Sequence, residues 1–187
     1  MGMRRPMIVN FNDAHGRANA ATAQDMRELG RQLGSQLTAG TVVVLTGPLG
    51  AGKTTLTQGI ADGLGVKGRV QSPTFTIVRS HKPGGPGKPG MLHMDAYRLL
   101  GQDVADGVQP GLHVDRAEVL DALESLDIDV NLDGELGGDV VIAEWGRGVV
   151  EVLSTTVLDV EITRAEVADA ELDLEAEQPR TLTWRWL

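Results

Sequence analysis

The chain has 187 residues and a formal net charge of −9, with 41% apolar and 23% charged residues. This composition predicts one soluble globular domain over 1–187, large enough to bury a core. The absence of cysteine excludes a disulfide framework, a zinc ribbon, an iron–sulfur cluster and a thiol nucleophile.

No apolar run reaches the ~18 residues needed to span a bilayer. The N-terminal MGMRRPMIVN has no apolar stretch behind its arginines, so a cytoplasmic location without membrane contact is expected. Charge is unevenly spread: residues 1–70 carry a balance of +4 and residues 71–187 one of −13. So acidic a chain is a poor direct ligand for a nucleic-acid backbone, and the basic part is where an anion would bind.

In chain order, MIVNF (7–11) reads as a first strand. Thr22 and Asp25 have capping-box spacing, and Met26, Leu29, Leu33 and Leu37 follow on one helical face, with Gly40 closing the helix. Thr41–Thr46 is an apolar, β-branched run of the kind covered on both faces of a sheet. A glycine-rich turn follows. Lys53–Leu64 then reads as a second helix with Leu56, Ile60 and Leu64 in register. TFTIVRS (74–80) and MLHMD (91–95) read as strands. Between them KPGGPGKPG (82–90) is expected to be a flexible hairpin tip. Asp115 and Glu118 open a third helix carrying Val119, Leu123 and Leu126. Val140–Ala143 is a buried strand. Leu158, Val160 and Ile162 share one face of a later strand. Leu182, Trp184 and Trp186 share one face of the last, with an acidic connection (164–180) between the two. The order of elements predicts an α/β fold: a mainly parallel central sheet with antiparallel additions.

The chemistry centres on Gly47-Pro48-Leu49-Gly50-Ala51-Gly52-Lys53-Thr54, which fits G-x-x-x-x-G-K-[ST]. Glycines let backbone N–H groups close on phosphate oxygens, and the helix that follows adds its positive end. Gly47, Leu49, Gly50, Ala51, Gly52, Lys53, Thr54 and Thr55 are therefore the expected nucleotide contacts. Lys53 reaches the transferring phosphate and the Thr54 hydroxyl binds Mg²⁺. Such a loop needs a further acid, and two compete. Glu144 follows the strand DVVIA and Asp95 follows MLHM, both at strand ends where ligands of open sheets bind. Ser72-Pro73-Thr74-Phe75 is either a plain turn or a switch-like segment whose hydroxyls sense the γ-phosphate or the metal.

GPLGAGKTTLTQGIADGLGV, SPTFTIV, HMDAYRL and AEW, in this order, resemble the TsaE (YjeE) family. This family is the ATPase component of the bacterial machinery that makes threonylcarbamoyladenosine at position 37 of tRNA. The resemblance covers roughly residues 20–165. It implies a compact P-loop NTPase fold, ATP with Mg²⁺, and slow, partner-dependent hydrolysis in a complex with TsaB and TsaD, with tRNA acted on only indirectly. Carried over, Lys53 and Thr54 are nucleotide and metal residues. Glu144 of the EW pair is the second metal ligand, Asp95 is the acid needed for hydrolysis, and Thr74 is part of the switch. Gly146-Arg147-Gly148 stands where many members carry Glu or Gln.

Rival readings are a small-molecule kinase, with Arg79, Lys82, Lys88 and Arg98 around an acceptor lid, and a nucleotide-dependent binding switch that does not hydrolyse. Asp129–Gly134 fits half of a calcium loop, but Val140 stands at the twelfth position where the bidentate Glu belongs, so an acidic turn is expected. His93 and Asp95 share a strand face and read as a hydrogen-bonded pair. Trp145 reads as core.

Overall fold

Short runs of valine and leucine, flanked by glycine turns, set the centre of the structure. A computed structural model describes residues 8–73, 76–99, 115–128, 138–164 and 178–187. Seven strands are present among them: β1 (His15–Ala20), β2 (Val42–Thr46), β3 (Val78–His81), β4 (Gly90–Asp95), β5 (Asp139–Glu144), β6 (Val157–Arg164) and β7 (Arg180–Trp186). They form one sheet in the order β1-β7-β6-β2-β5-β4-β3. The four central strands β6, β2, β5 and β4 run parallel, and β1, β7 and β3 add to the edges antiparallel. The architecture is α/β with the parallel centre and antiparallel additions expected.

One face of the sheet is covered by α1 (Ala23–Gln36) and α2 (Lys53–Leu64). Val43, Leu45, Ile142, Leu158, Val160 and Ile162 meet Leu29, Leu33, Leu56 and Ile60 in that layer. On the other face Val42, Val44, Val141 and Ala143 pack on a smaller layer. It includes Val119 and Leu123 of α4 (Arg116–Glu124) and Val150 and Leu153 of a short 3₁₀ turn (Val150–Leu153). A one-turn helix α3 (Ala96–Leu99) follows β4. Both capping boxes form: Thr22 with Asp25, and Asp115 with Glu118. Leu126 lies past the end of α4 and is exposed.

Two strand expectations fail, the first at the N-terminus. MIVNF is not a strand: Ile8 is 89% exposed. Val9 and Phe11 instead donate their backbone N–H groups to the Gln32 and Gln36 side chains of α1. The first strand is HGRANA, which pairs with β7. Its polar residues alternate with Gly16, Ala18 and Ala20, and only Ala18 and Ala20 are buried. The strand TFTIVRS is shorter than read. β3 begins at Val78, after a turn in which Thr76 and Ile77 donate to the Pro73 carbonyl. Thr74, Phe75, the stretch Asp129–Gly134 and most of the acidic connection lie outside the described residues.

The 82–90 hairpin tip joins β3 to β4 as expected, but it lies at the far end of the sheet from the glycine-rich loop. Gly84 packs on Gly65, the residue that caps the C-terminus of α2, and Lys67 N–H donates to the Lys82 carbonyl. Lys82 and Lys88 therefore stand a full helix length from Lys53 and do not form a lid over it.

The two helices touch backbone to backbone. Gly30 and Gly34 on α1 face Gly59 and Gly63 on α2. An added Cβ at Gly34 would overlap the Ile60 carbonyl oxygen, and one at Gly59 the Arg27 carbonyl oxygen. Alanine raises helix propensity by about 1 kcal/mol over glycine, yet forcing these backbones apart costs about 1–3 kcal/mol or more. Gly59→Ala should therefore lower the unfolding free energy by about 2 kcal/mol in urea titration. Gly85→Ala, where an added Cβ meets nothing within 4 Å, should be near neutral.

Candidate functional site

The site begins where β2 ends. The chain leaves Thr46, turns through 47–52 and enters α2 at Lys53. Gly50 and Gly52 have φ of 72° and 106°, a region that side chains resist. A Cβ at Gly47 would stand 2.5 Å from the Ile162 carbonyl oxygen of neighbouring β6. The loop closes on itself through Ala51 N–H donating to the Pro48 carbonyl, and Leu56 N–H donates to Gly52 to start the helix. The N–H groups of the first turn, at Lys53, Thr54 and Thr55, point out of the helix end as donors, with the positive end of its dipole behind them. Leu49 is at the loop tip, 87% exposed.

Lys53 folds back over the loop. Its Nζ donates to the carbonyls of Gly47 at 2.9 Å and Pro48 at 3.2 Å. It also sits 4.0 Å from the centroid of the Trp145 ring. Burial pushes the ammonium's pKa below the usual lysine value, and the Glu144 and Asp95 carboxylates oppose that shift. Trp145 is thus not core. It is 42% exposed, and its backbone has a φ of 60°, uncommon for a bulky residue and typical of functional corners. Trp145 N–H donates to the Leu45 carbonyl, which ties this corner to the strand that leads into the loop.

The two competing acids prove to be neighbours. In register, Leu45 of β2 pairs with Glu144 of β5, and Glu144 pairs with Asp95 of β4. Both carboxylates emerge at the carboxyl edge of the sheet. Thr54 Oγ1 donates to Glu144 Oε1 at 3.2 Å. The same oxygen lies 2.9 Å from Nε2 of His93, a fully buried ring. A carboxylate only accepts, so Nε2 carries the proton. His93 Nδ1 is buried with no hydrogen-bond partner among the described residues, and the ring's partner is Glu144, not the Asp95 expected. Arg98 Nε lies 3.7 Å from Asp95 Oδ2. Asp95 N–H donates to the Ile77 carbonyl, just before β3.

Of the other arginines near the site in sequence, Arg147 points away. Its guanidinium binds both oxygens of Asp159 at 2.9 Å, on the opposite face of the sheet from α2. Arg79 is the register partner of His93. Two arginines that the sequence reading passed over flank the loop. Arg164 Nη2 donates to the Leu49 carbonyl at 2.8 Å, and the Arg180 side chain lies against Gly52. A fold-level signal was available for both: they end β6 and begin β7, which places them beside the carboxyl end of β2.

The family model "Threonylcarbamoyl adenosine biosynthesis protein TsaE" matches residues 20–172. The chain belongs to the TsaE family. A Mycobacterium tuberculosis "tRNA threonylcarbamoyladenosine biosynthesis protein TsaE" is 42% identical over 183 residues, covering 98% of this chain and 94% of the relative. TsaE of Streptomyces coelicolor is 47% identical over 140 residues, covering 75% and 80%, and that of Bacillus subtilis 34% over 137, covering 73% and 70%. A crystal structure of Bacillus subtilis YdiB superposes with a TM-score of 0.56 at 25% identity, covering 91% of this chain and 84% of that one. The fold is that of the P-loop NTPases, and the TsaE family serves threonylcarbamoyladenosine synthesis.

His93 holds Glu144 in place from below. His93→Ala would leave a buried carboxylate oxygen without that donor, at a cost of about 1–3 kcal/mol. Urea unfolding at neutral pH should show a loss of that size.

Proposed function

We propose that this chain binds ATP with Mg²⁺ and hydrolyses it slowly, as the accessory ATPase of a TsaB–TsaD complex that forms threonylcarbamoyladenosine at position 37 of tRNA. The tRNA is acted on indirectly, and the setting is the cytoplasm. Among the described residues no helix is long and apolar enough to cross a membrane. The observation that carries the reading is the 3.2 Å contact of Thr54 with Glu144 beside the buried Lys53. It joins the last residue of the loop motif to an acid 90 positions away.

The residues fit the nucleotide and the metal. Thr54 Oγ1 and Glu144 Oε1 supply two hard oxygens, about as many as magnesium takes from protein when phosphates and waters fill its remaining positions. Glycines with positive φ shape the loop, and first-turn N–H groups face outward for phosphate oxygens. Bound there, magnesium would neutralise phosphate charge. Lys53, held by two carbonyls and an aromatic ring, would turn to the β- and γ-phosphates as a point charge. Gly47, Leu49, Gly50, Ala51, Gly52 and Thr55 would line the phosphates. Asp95, at the same sheet edge, would orient the attacking water and accept its proton. Thr74 would belong to the switch segment.

The same geometry favours dependence on partners. Arg147 is held by Asp159 on the opposite face of the sheet, so it is not set to stabilise charge on a transferring phosphate. A missing arginine contact of that kind costs about 10³–10⁵ in rate. The kinase reading loses its lid, because Lys82 and Lys88 lie at the other end of α2.

Two measurements test this. Steady-state ADP release from the isolated chain should be slow and rise when TsaB and TsaD are added. Fast turnover alone, unchanged on mixing, would reject the partner-dependent reading, and no ADP in any mixture would favour the pure switch. Calorimetry separates the acids. Glu144→Ala should remove the Mg²⁺-dependent part of ATP affinity, while Asp95→Ala should leave binding nearly intact and slow turnover.

A further inference from the structure

Five of the described arginines face carboxylates. Arg27 pairs with Asp62, Arg31 with Glu28, Arg98 with Asp95, and Arg147 and Arg185 with Asp159. Arg164 and Arg180 differ. They are cross-strand partners at the end of the β6–β7 pair, and neither makes an ion pair among the described residues. Arg164 reaches the tip of the phosphate loop through Leu49 and also abuts Gly50. The Cδ and Nε atoms of Arg180 would lie 3.6 Å from a Cβ at Gly52, the N-cap of α2. Arg180 Nη1 donates to the Gln178 carbonyl at 3.3 Å. Its Nε is buried with no hydrogen-bond partner among the described residues. A buried donor without a partner is costly, and two guanidinium groups beside a phosphate loop, with no carboxylate on them among the described residues, are set for an anion.

The topology says which part of the ligand they meet. β2 lies between β5 and β6. Glu144 and Asp95, on the β5–β4 side, fix where the metal and the terminal phosphate belong in the function proposed above. The polyphosphate must then run along the loop toward the β6–β7 side, with the α-phosphate and nucleoside at that end. On that reading of the site, we infer that Arg180 is a binding residue for the α-phosphate side of the nucleotide, presenting its unpartnered Nε–H beside the first turn of α2, and that Arg164 is a positioning residue that braces the loop through the Leu49 carbonyl.

Titration calorimetry with ADP and with ATP, both without Mg²⁺, tests this on the full chain. Arg180→Ala should weaken ADP and ATP alike, by about ten- to a hundredfold, as loss of a charge-assisted hydrogen bond does. Arg180→Lys should recover part of that loss, because it keeps the charge without the planar fork. Arg185→Ala, on the same strand and paired with Asp159 on the opposite face, should bind as the wild type does. Arg164→Ala should speed amide hydrogen exchange across 49–52 in the nucleotide-free protein, and Arg180→Ala should not. Loss of ATP affinity with ADP affinity kept would move Arg180 to the terminal phosphate and overturn the assignment. So would unchanged affinity for both, measured on a variant whose melting temperature matches the wild type. If Arg180→Ala does not fold, the comparison rests on Arg180→Lys and Arg180→Gln, with Gln expected to bind the more weakly. A wild type that binds neither nucleotide would instead remove the nucleotide site itself.

Discussion

Glu144 stands beside the phosphate loop because β2, β5 and β4 run parallel and in register. Leu45, Glu144 and Asp95 lie in one row across the three strands. An antiparallel neighbour would carry its chain end to the other edge of the sheet. A slip of one residue would turn Glu144 from the α2 face to the opposite face. The buried valines of β2 and β5 hold that register, since both faces are packed and any slip would strand apolar residues on the wrong layer. The chemistry at the edge is therefore set by the hydrophobic centre.

The helix signals of the sequence were dependable, and several of its strand signals were not. α2 runs over the span read from its leucine spacing, and both capping boxes form, because each depends on residues within one turn. The β1 strand escaped notice because HGRANA carries no apolar alternation beyond two alanines. It is a strand because β7 offers it a free edge, and Trp184, tilted against Phe11 with ring centroids 4.7 Å apart, fills the space that Gly16 leaves. MIVNF looked like a strand for the opposite reason. Val9 and Phe11 are real anchors, but Gln32 and Gln36 of α1 satisfy their backbone N–H groups.

At the site, the motif residues and the two acids were legible in the sequence. Their mutual arrangement was not. His93 and Glu144 are 51 positions apart, and only the β4–β5 register brings them together. Trp145 was expected inside because tryptophan usually is, yet the left-handed corner after β5 turns its ring over Lys53. The 82–90 loop was placed near the chemistry on composition alone. Proline and glycine mark a turn but carry no information about which end of a sheet the turn occupies.

The helix pair that covers the sheet has a mechanical consequence. Where side chains separate two helices, a small slide is absorbed by rotamer changes in the layer between them. Between α1 and α2 the glycines leave no such layer along their line of contact, and close-packed backbone has no rotamers to change. α2 begins at the phosphate loop and α1 runs alongside it, so the two behave as one stiff lever. A shift imposed at Gly52 would meet little slack before α1, whose Gln32 and Gln36 hold the N-terminal segment.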